Sequence, residues 1–152
     1  MIAIEPHPLR FQFLSENIAR NQLTNVTPLP FAVGDHDGTA TLYDLDARLV
    51  PHPRDVSLAM SGGTAIPVPL RTIDALCQDL APDDLALVKI DVEGFEPQVL
   101  AGMQATLSRV KPKVVFEALT PASLVASSEQ IAPHGYIVRQ VDSTNYLALP
   151  TH

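Results

Sequence analysis

Cysteine occurs once in the 152 residues, at Cys77, and tryptophan does not occur. A single thiol excludes an internal disulfide and is compatible with a reducing compartment. Basic residues are few: ten Lys and Arg stand against seventeen Asp and Glu, for a net charge of -7, and no basic cluster exists. Sequence-independent nucleic-acid binding needs such a cluster to neutralise phosphates, so no nucleic-acid partner is expected. No apolar run approaches the roughly 20 residues of a membrane span. The N-terminus lacks the basic start and long apolar stretch of a signal peptide. These absences lead to an expected cytoplasmic location without membrane contact. The five histidines show no metal-ligand spacing. No metal is expected, and no Ser-His-Asp or Cys-His set is legible.

What is present describes a globular chain. Hydrophobic residues make up 46% and charged residues 18%, which is outside the disordered range. The length predicts one domain, residues 1–152, and fourteen prolines divide it into short elements. There is no internal repeat and no linker.

The stretch Leu85 to Glu96 opens on an aliphatic run, Leu85 to Val92, and ends in acid and glycine. The run reads as a strand buried on both faces, as in a parallel sheet. Pro97 suits the first turn of a helix. Val99, Leu100, Met103, Leu107 and Val110 follow at helical spacing. Met1 to Glu5 reads as another buried strand. From Pro8 to about Asn21, Phe11, Leu14 and Ile18 share a helical face, with Glu16 and Arg20 as an i,i+4 pair. Val26 to Val33 reads as an edge or irregular strand, since Pro28 and Pro30 interrupt it. Asp37-Gly38 is a hairpin signal, with Thr39 to Tyr43 returning. Asp44 to Gly63 reads as a long surface loop. Ile66 to Leu70 is a short strand, and Thr72 can cap a helix over Ile73 to Leu80. Lys113 to Glu117 is a buried strand. A helix from Pro121 to about Ala132 stops near Gly135. A hairpin of Tyr136 to Val141 and Tyr146 to Leu149 closes the chain.

Carboxylates end three of these strands: Glu5, Asp91 with Glu93, and Glu117. If the strands run parallel, the acids share one rim, where open α/β sheets bind ligands. A carboxylate there can accept hydrogen bonds from a ribose diol. Each acid also has a plainer reading. Glu5 can serve the dipole of the following helix, and Asp91 or Glu93 can cap the helix near Pro97. Lys89, in a strand read as buried, needs a carboxylate, and Glu117 on the next strand is a candidate. Gly102 inside a helix suggests close packing against a strand.

The block Val88-Lys-Ile-Asp-Val-Glu-Gly-Phe-Glu96, followed by Val99-Leu-Ala-Gly102, resembles the FkbM family of S-adenosylmethionine-dependent methyltransferases. Ala3-Ile-Glu-Pro6, Ala32-Val-Gly-Asp35 with Asp37-Gly38, Leu70-Arg-Thr-Ile-Asp74 and Val114-Val-Phe-Glu117 fit in order. The resemblance implies an α/β, Rossmann-like class I methyltransferase fold of three αβα layers, with strands in the order 3-2-1-4-5-7-6. It implies O-methylation of a hydroxyl on a sugar, glycan or other small secondary metabolite. It assigns S-adenosylmethionine to Glu5, Asp35 and Asp91, with Asp91 and Glu117 as catalytic carboxylates. The match starts at the family's second strand, without the first strand and its glycine-rich turn. The chain therefore reads as one methyltransferase domain truncated at its N-terminus. Two rival readings are a non-catalytic remnant that does not bind cofactor alone, and another Rossmann-like nucleotide binder.

Overall fold

A computed structural model describes residues 1–44, 56–58, 64–81 and 84–151. Strand β1 (Ile2–Ile4) leads into helix α1 (Pro8–Arg20), followed by β2 (Thr27–Leu29), β3 (Ala32–Val33) and β4 (Gly38–Asp44). Then come β5 (Val56–Ser57), β6 (Thr64–Arg71), helix α2 (Ile73–Leu76) and β7 (Leu87–Ile90). Next are α3 (Glu96–Ala101), α4 (Gln104–Arg109), β8 (Lys113–Glu117) and α5 (Pro121–Ile131). A 3-10 turn (Ala132–His134) precedes β9 (Tyr136–Gln140) and β10 (Asn145–Pro150). Most of the expected loop from Asp44 to Gly63 lies outside the described residues. Among the described residues no helix is long and apolar enough to cross a membrane.

These strands form three sheets. β1 pairs only with β2, in parallel. A second sheet runs β7-β8-β10-β9, with β7 parallel to β8 and β10 antiparallel to both its neighbours. These two ladders keep the neighbour order that the resemblance implies, but among the described residues no ladder joins them, so β1 and β7 are parted. The third sheet, β3-β6-β4-β5, was not foreseen. Val26 to Val33 is therefore not one strand: it breaks at Pro30-Phe31, so that β2 joins β1 while β3 joins β6. Pro30 has no N–H with which to continue a ladder. Nor does Asp37-Gly38 turn a hairpin, because β3 and β4 both pair with β6, on opposite flanks. β3 reaches only Leu70 and Arg71 of β6. Pro67 and Pro69 thus lie on a stretch with one open flank, where a strand tolerates proline.

The main core packs Val99, Leu100, Met103, Leu107 and Ile131 against Ile90, Val114, Phe116 and Ala148. A smaller one joins Ala32, Leu42, Val68 and Leu70. The helical stripe from Val99 to Val110 faces inward as its spacing predicts, but two helices carry it. α3 ends at Gly102, where a Cβ would stand 1.8 Å from the Gly34 carbonyl oxygen. The close approach inferred for Gly102 is present, with a turn as its partner instead of a strand. α2 stops at Leu76, short of the predicted Leu80. The Arg109 guanidinium binds the carbonyls of Cys77 (2.7 Å), Gln78 (3.1 Å) and Leu80, replacing the helical donors they would otherwise need.

Two strands are less buried than their apolar sequences predict. Ile2 is 58% exposed and Leu87 53%. Both strands stand beside the parting, so these side chains open on that space.

Candidate active site

A cleft of about 1130 Å³ occupies the parting, lined by Ile2, Ile4 and Glu5 on one side and by Val88 through Glu93 on the other. The half-buried Glu5 leaves β1 with its N–H bonded to the Leu29 carbonyl at 3.1 Å. Its Oε1 accepts the N–H of His7 at 2.8 Å. That bond fixes the carboxylate of a residue that lines the cleft. His7 is the N-cap of α1, and its Nδ1 accepts the Arg10 N–H at 3.4 Å. With Nδ1 accepting, the ring proton sits on Nε2, which donates to Asp44 Oδ2 at 3.3 Å. The buried imidazole thereby ties the β1–α1 turn to the end of β4. Sequence spacing gave His7 no such role, because Asp44 lies 37 positions away.

Asp91 follows β7, and its Oδ2 meets Lys89 Nζ at 2.8 Å. Lys89 thus pairs with Asp91, correcting the expected pairing with Glu117. Residues i and i+2 of an extended strand share a face, so the nearer acid takes the ammonium. Both side chains are about half exposed, and such a pair contributes only about 0–1 kcal/mol. No side chain caps α3 at Phe95, so Asp91 does not serve as its cap.

Between β7 and α3 the chain makes a left-handed turn, with φ of 53° at Glu93 and 95° at Gly94. Glu96 is 1% exposed. Its Oε1 accepts the N–H groups of Val92 (3.1 Å) and Gly94 (3.2 Å). Sequence reasoning passed over Glu96, although a signal was there. It opens the stripe continued by Val99, Leu100 and Met103, so helical periodicity points this acid inward.

The other expected site residues lie elsewhere. Glu117 ends β8, and the Ile90–Phe116 register sets it at the same end of the sheet as Asp91. It does not line the cleft. Asp35 is exposed, pairs with His36 Nδ1 at 2.6 Å, and also lies outside the cleft. Its neighbour Asp37 accepts the Thr72 N–H at 2.8 Å. The expected common rim thus brings Glu5 and Asp91 onto one cleft, with Glu117 near Asp91 and Asp35 apart. β1 pairs with neither β7 nor β8.

The cleft compares in size with the ~300–1,000 Å³ of small-molecule sites. It joins apolar walls, including Leu14, Val33 and Leu76, to the carboxylates of Glu5, Asp91 and Glu93. Such a lining suits a ligand that joins apolar surface to hydrogen-bond donors or positive charge. No glycine lines it among the described residues. Cys77 forms part of the wall, and burial pushes its thiol up, keeping it protonated and apolar. Among the described residues no group of three or more His, Cys, Asp or Glu could hold a metal ion.

A family model described as the methyltransferase FkbM domain matches residues 1–138. The crystal structure of methyltransferase FkbM from Methylobacillus flagellatus KT is similar, with a TM-score of 0.65 at 21% identity. That likeness covers 97% of this chain and 36% of the other, so the chain spans roughly a third of that protein's length. A precorrin-6y C5,15-methyltransferase from Geobacter metallireducens GS-15 is similar with a TM-score of 0.51 at 16% identity, over 99% of this chain and 66% of that one. At these identities the likeness is one of fold. No curated protein matches the chain.

Proposed function

Because the chain belongs to the FkbM methyltransferase family, we propose that it is an S-adenosylmethionine-dependent O-methyltransferase. Its acceptor in this reading is a hydroxyl of a sugar, glycan or other small secondary metabolite. The observation that carries the reading is that Glu5 and Asp91 line one cleft. The two ladders beside the parting are then halves of one Rossmann-like sheet in a three-layer αβα fold.

When bound, S-adenosylmethionine supplies a methyl group activated on a sulfonium. Glu5, held by the His7 N–H, would offer its carboxylate to the ribose hydroxyls. Asp91, on the same cleft, is the carboxylate that would orient the acceptor hydroxyl or take its proton. Glu117, at the same sheet end, is the second candidate for that role. Methyl transfer asks mainly for positioning of the attacking oxygen, which places few demands on other side chains. Asp35 keeps its cofactor assignment from the family resemblance alone.

A specific observation also favours a non-catalytic reading. Apolar side chains open on the parting, and among the described residues no glycine turn lines the cleft. Calorimetric titration of the chain with S-adenosylmethionine separates the two. Saturable micromolar binding that weakens in Glu5→Gln supports the methyltransferase. Absence of binding by a cooperatively folded chain overturns it for this chain. Competition by adenosine triphosphate would point to a general nucleotide binder instead.

A further inference from the structure

We propose that Glu96 is a positioning residue, whose buried carboxylate holds the Asp91–Gly94 turn so that Asp91 and Glu93 face the cleft. The inference rests on the methyltransferase reading for what the cleft binds, and on geometry for what holds the turn.

A carboxylate 1% exposed among Val99, Leu100 and Met103 is costly, since burying an ionised group forfeits its hydration. An apolar residue of similar length would pack there without that cost. What Glu96 adds is an acceptor. Its Oε1 takes the N–H groups of Val92 and Gly94, the two residues flanking Glu93. With both neighbours' N–H groups drawn inward, Glu93 is displayed outward and lines the cleft. It does so at φ 53°, a conformation that residues other than glycine rarely adopt. β7 ends at Ile90, so no ladder bond reaches the turn. Asp91 is one residue before the first clamped N–H, and its direction is set where the clamp begins.

Two variants separate clamping from filling. Glu96→Gln keeps the length and an acceptor oxygen, while Glu96→Met keeps the length without an acceptor. The readouts are amide hydrogen exchange by NMR, the melting temperature and the dissociation constant for S-adenosylmethionine. In Glu96→Met the Val92 and Gly94 amides should exchange about ten- to hundredfold faster, the factor for losing a bond to a charged group. Amides of Val114 and Phe116 should hold their protection. Cofactor binding should weaken by about tenfold or more. Glu96→Gln should stay close to the parent in all three. If Glu96→Met does not fold, Glu96→Asp, too short to reach both N–H groups, should show the same local exchange. Unchanged protection at Val92 and Gly94 in the Met or Asp variant overturns the proposal. So does a uniform loss of protection across the core in Gln and Met alike, which marks a packing role. If the parent binds no cofactor, the methyltransferase reading fails for this chain, while the exchange pattern still decides the role of Glu96.

Discussion

Asp74 does for α4 what no residue of α4 does for itself. From α2 it accepts the N–H groups of Ala105 (2.9 Å) and Thr106 (2.7 Å) and the Thr106 hydroxyl (2.7 Å). These are donors that a helix start leaves without partners. Asp74→Ala should lower stability by about 1–3 kcal/mol, read as a shifted midpoint in urea unfolding. Tyr136 makes a different residue-scale prediction. Its phenol is 8% exposed, donates to the Pro112 carbonyl at 2.9 Å, and is pushed up by burial from 10.0 to about 12. Between those values the unfolded chain loses a proton that the folded chain keeps. The contribution is therefore whole below pH 10 and falls away as pH rises from 10 to 12. Two pH units at roughly 1.4 kcal/mol each cap the loss near ~3 kcal/mol. Tyr136→Phe should flatten the alkaline decline in melting temperature; an equally steep decline would remove Tyr136 as its cause. At Glu5, the Gln variant can still accept the His7 N–H, so its melting temperature should hold. Cofactor affinity should fall by about one to two powers of ten.

α3 and α4 show how an element's length is set from outside. Their apolar stripe would suit one continuous helix, yet the Gly34 backbone lies against Gly102. A Cβ at Gly102 would stand 1.8 Å from Gly34 O and 2.8 Å from its carbonyl carbon. Gly102→Ala should therefore destabilise by about 1–3 kcal/mol, the usual cost of overpacking, although alanine is the better helix former. A variant that melts at or above the parent temperature would show that the contact can yield. The same logic joins α2 to α4. Asp74 caps the start of α4, and Arg109 near its end binds the carbonyls that follow α2. Each short helix is completed by a residue of the other.

At the scale of the whole molecule, β1 and β7 belong to separate sheets and face one cleft. Edge strands with exposed apolar side chains favour association, and here two of them flank one cleft. The parent should bind a hydrophobic dye and show concentration-dependent light scattering. Replacing Ile2 and Leu87 together by lysine should reduce both signals while leaving the melting temperature nearly unchanged, since neither side chain is packed in the core. A parent that stays monodisperse without binding dye would show that the cleft's apolar walls are not sticky.

Local order was legible in the sequence because it depends on near neighbours. α1 and α5, the strand β8 and the β9–β10 hairpin lie where periodicity and turn residues predict. Gly135, at φ 71°, ends the helical run as its position suggested. The acid-ended strands Met1–Glu5 and Leu85–Val92 were also legible, and with them the block that identifies the family. Partners distant in the chain were not. Periodicity tells which side of an element is apolar, but not which element will lie against it. Hence Val26 to Val33 divides between two sheets, and Gly34 breaks a helix some seventy positions away. The same limit hid His7 bonded to Asp44 and Asp74 capping α4. It also hid the inward turn of Glu96, an acid whose burial makes sense only once the N–H groups that it accepts are in place. The cleft itself is a product of packing: strand sequences specify the acids at their ends, while the spacing between strands decides which acids meet.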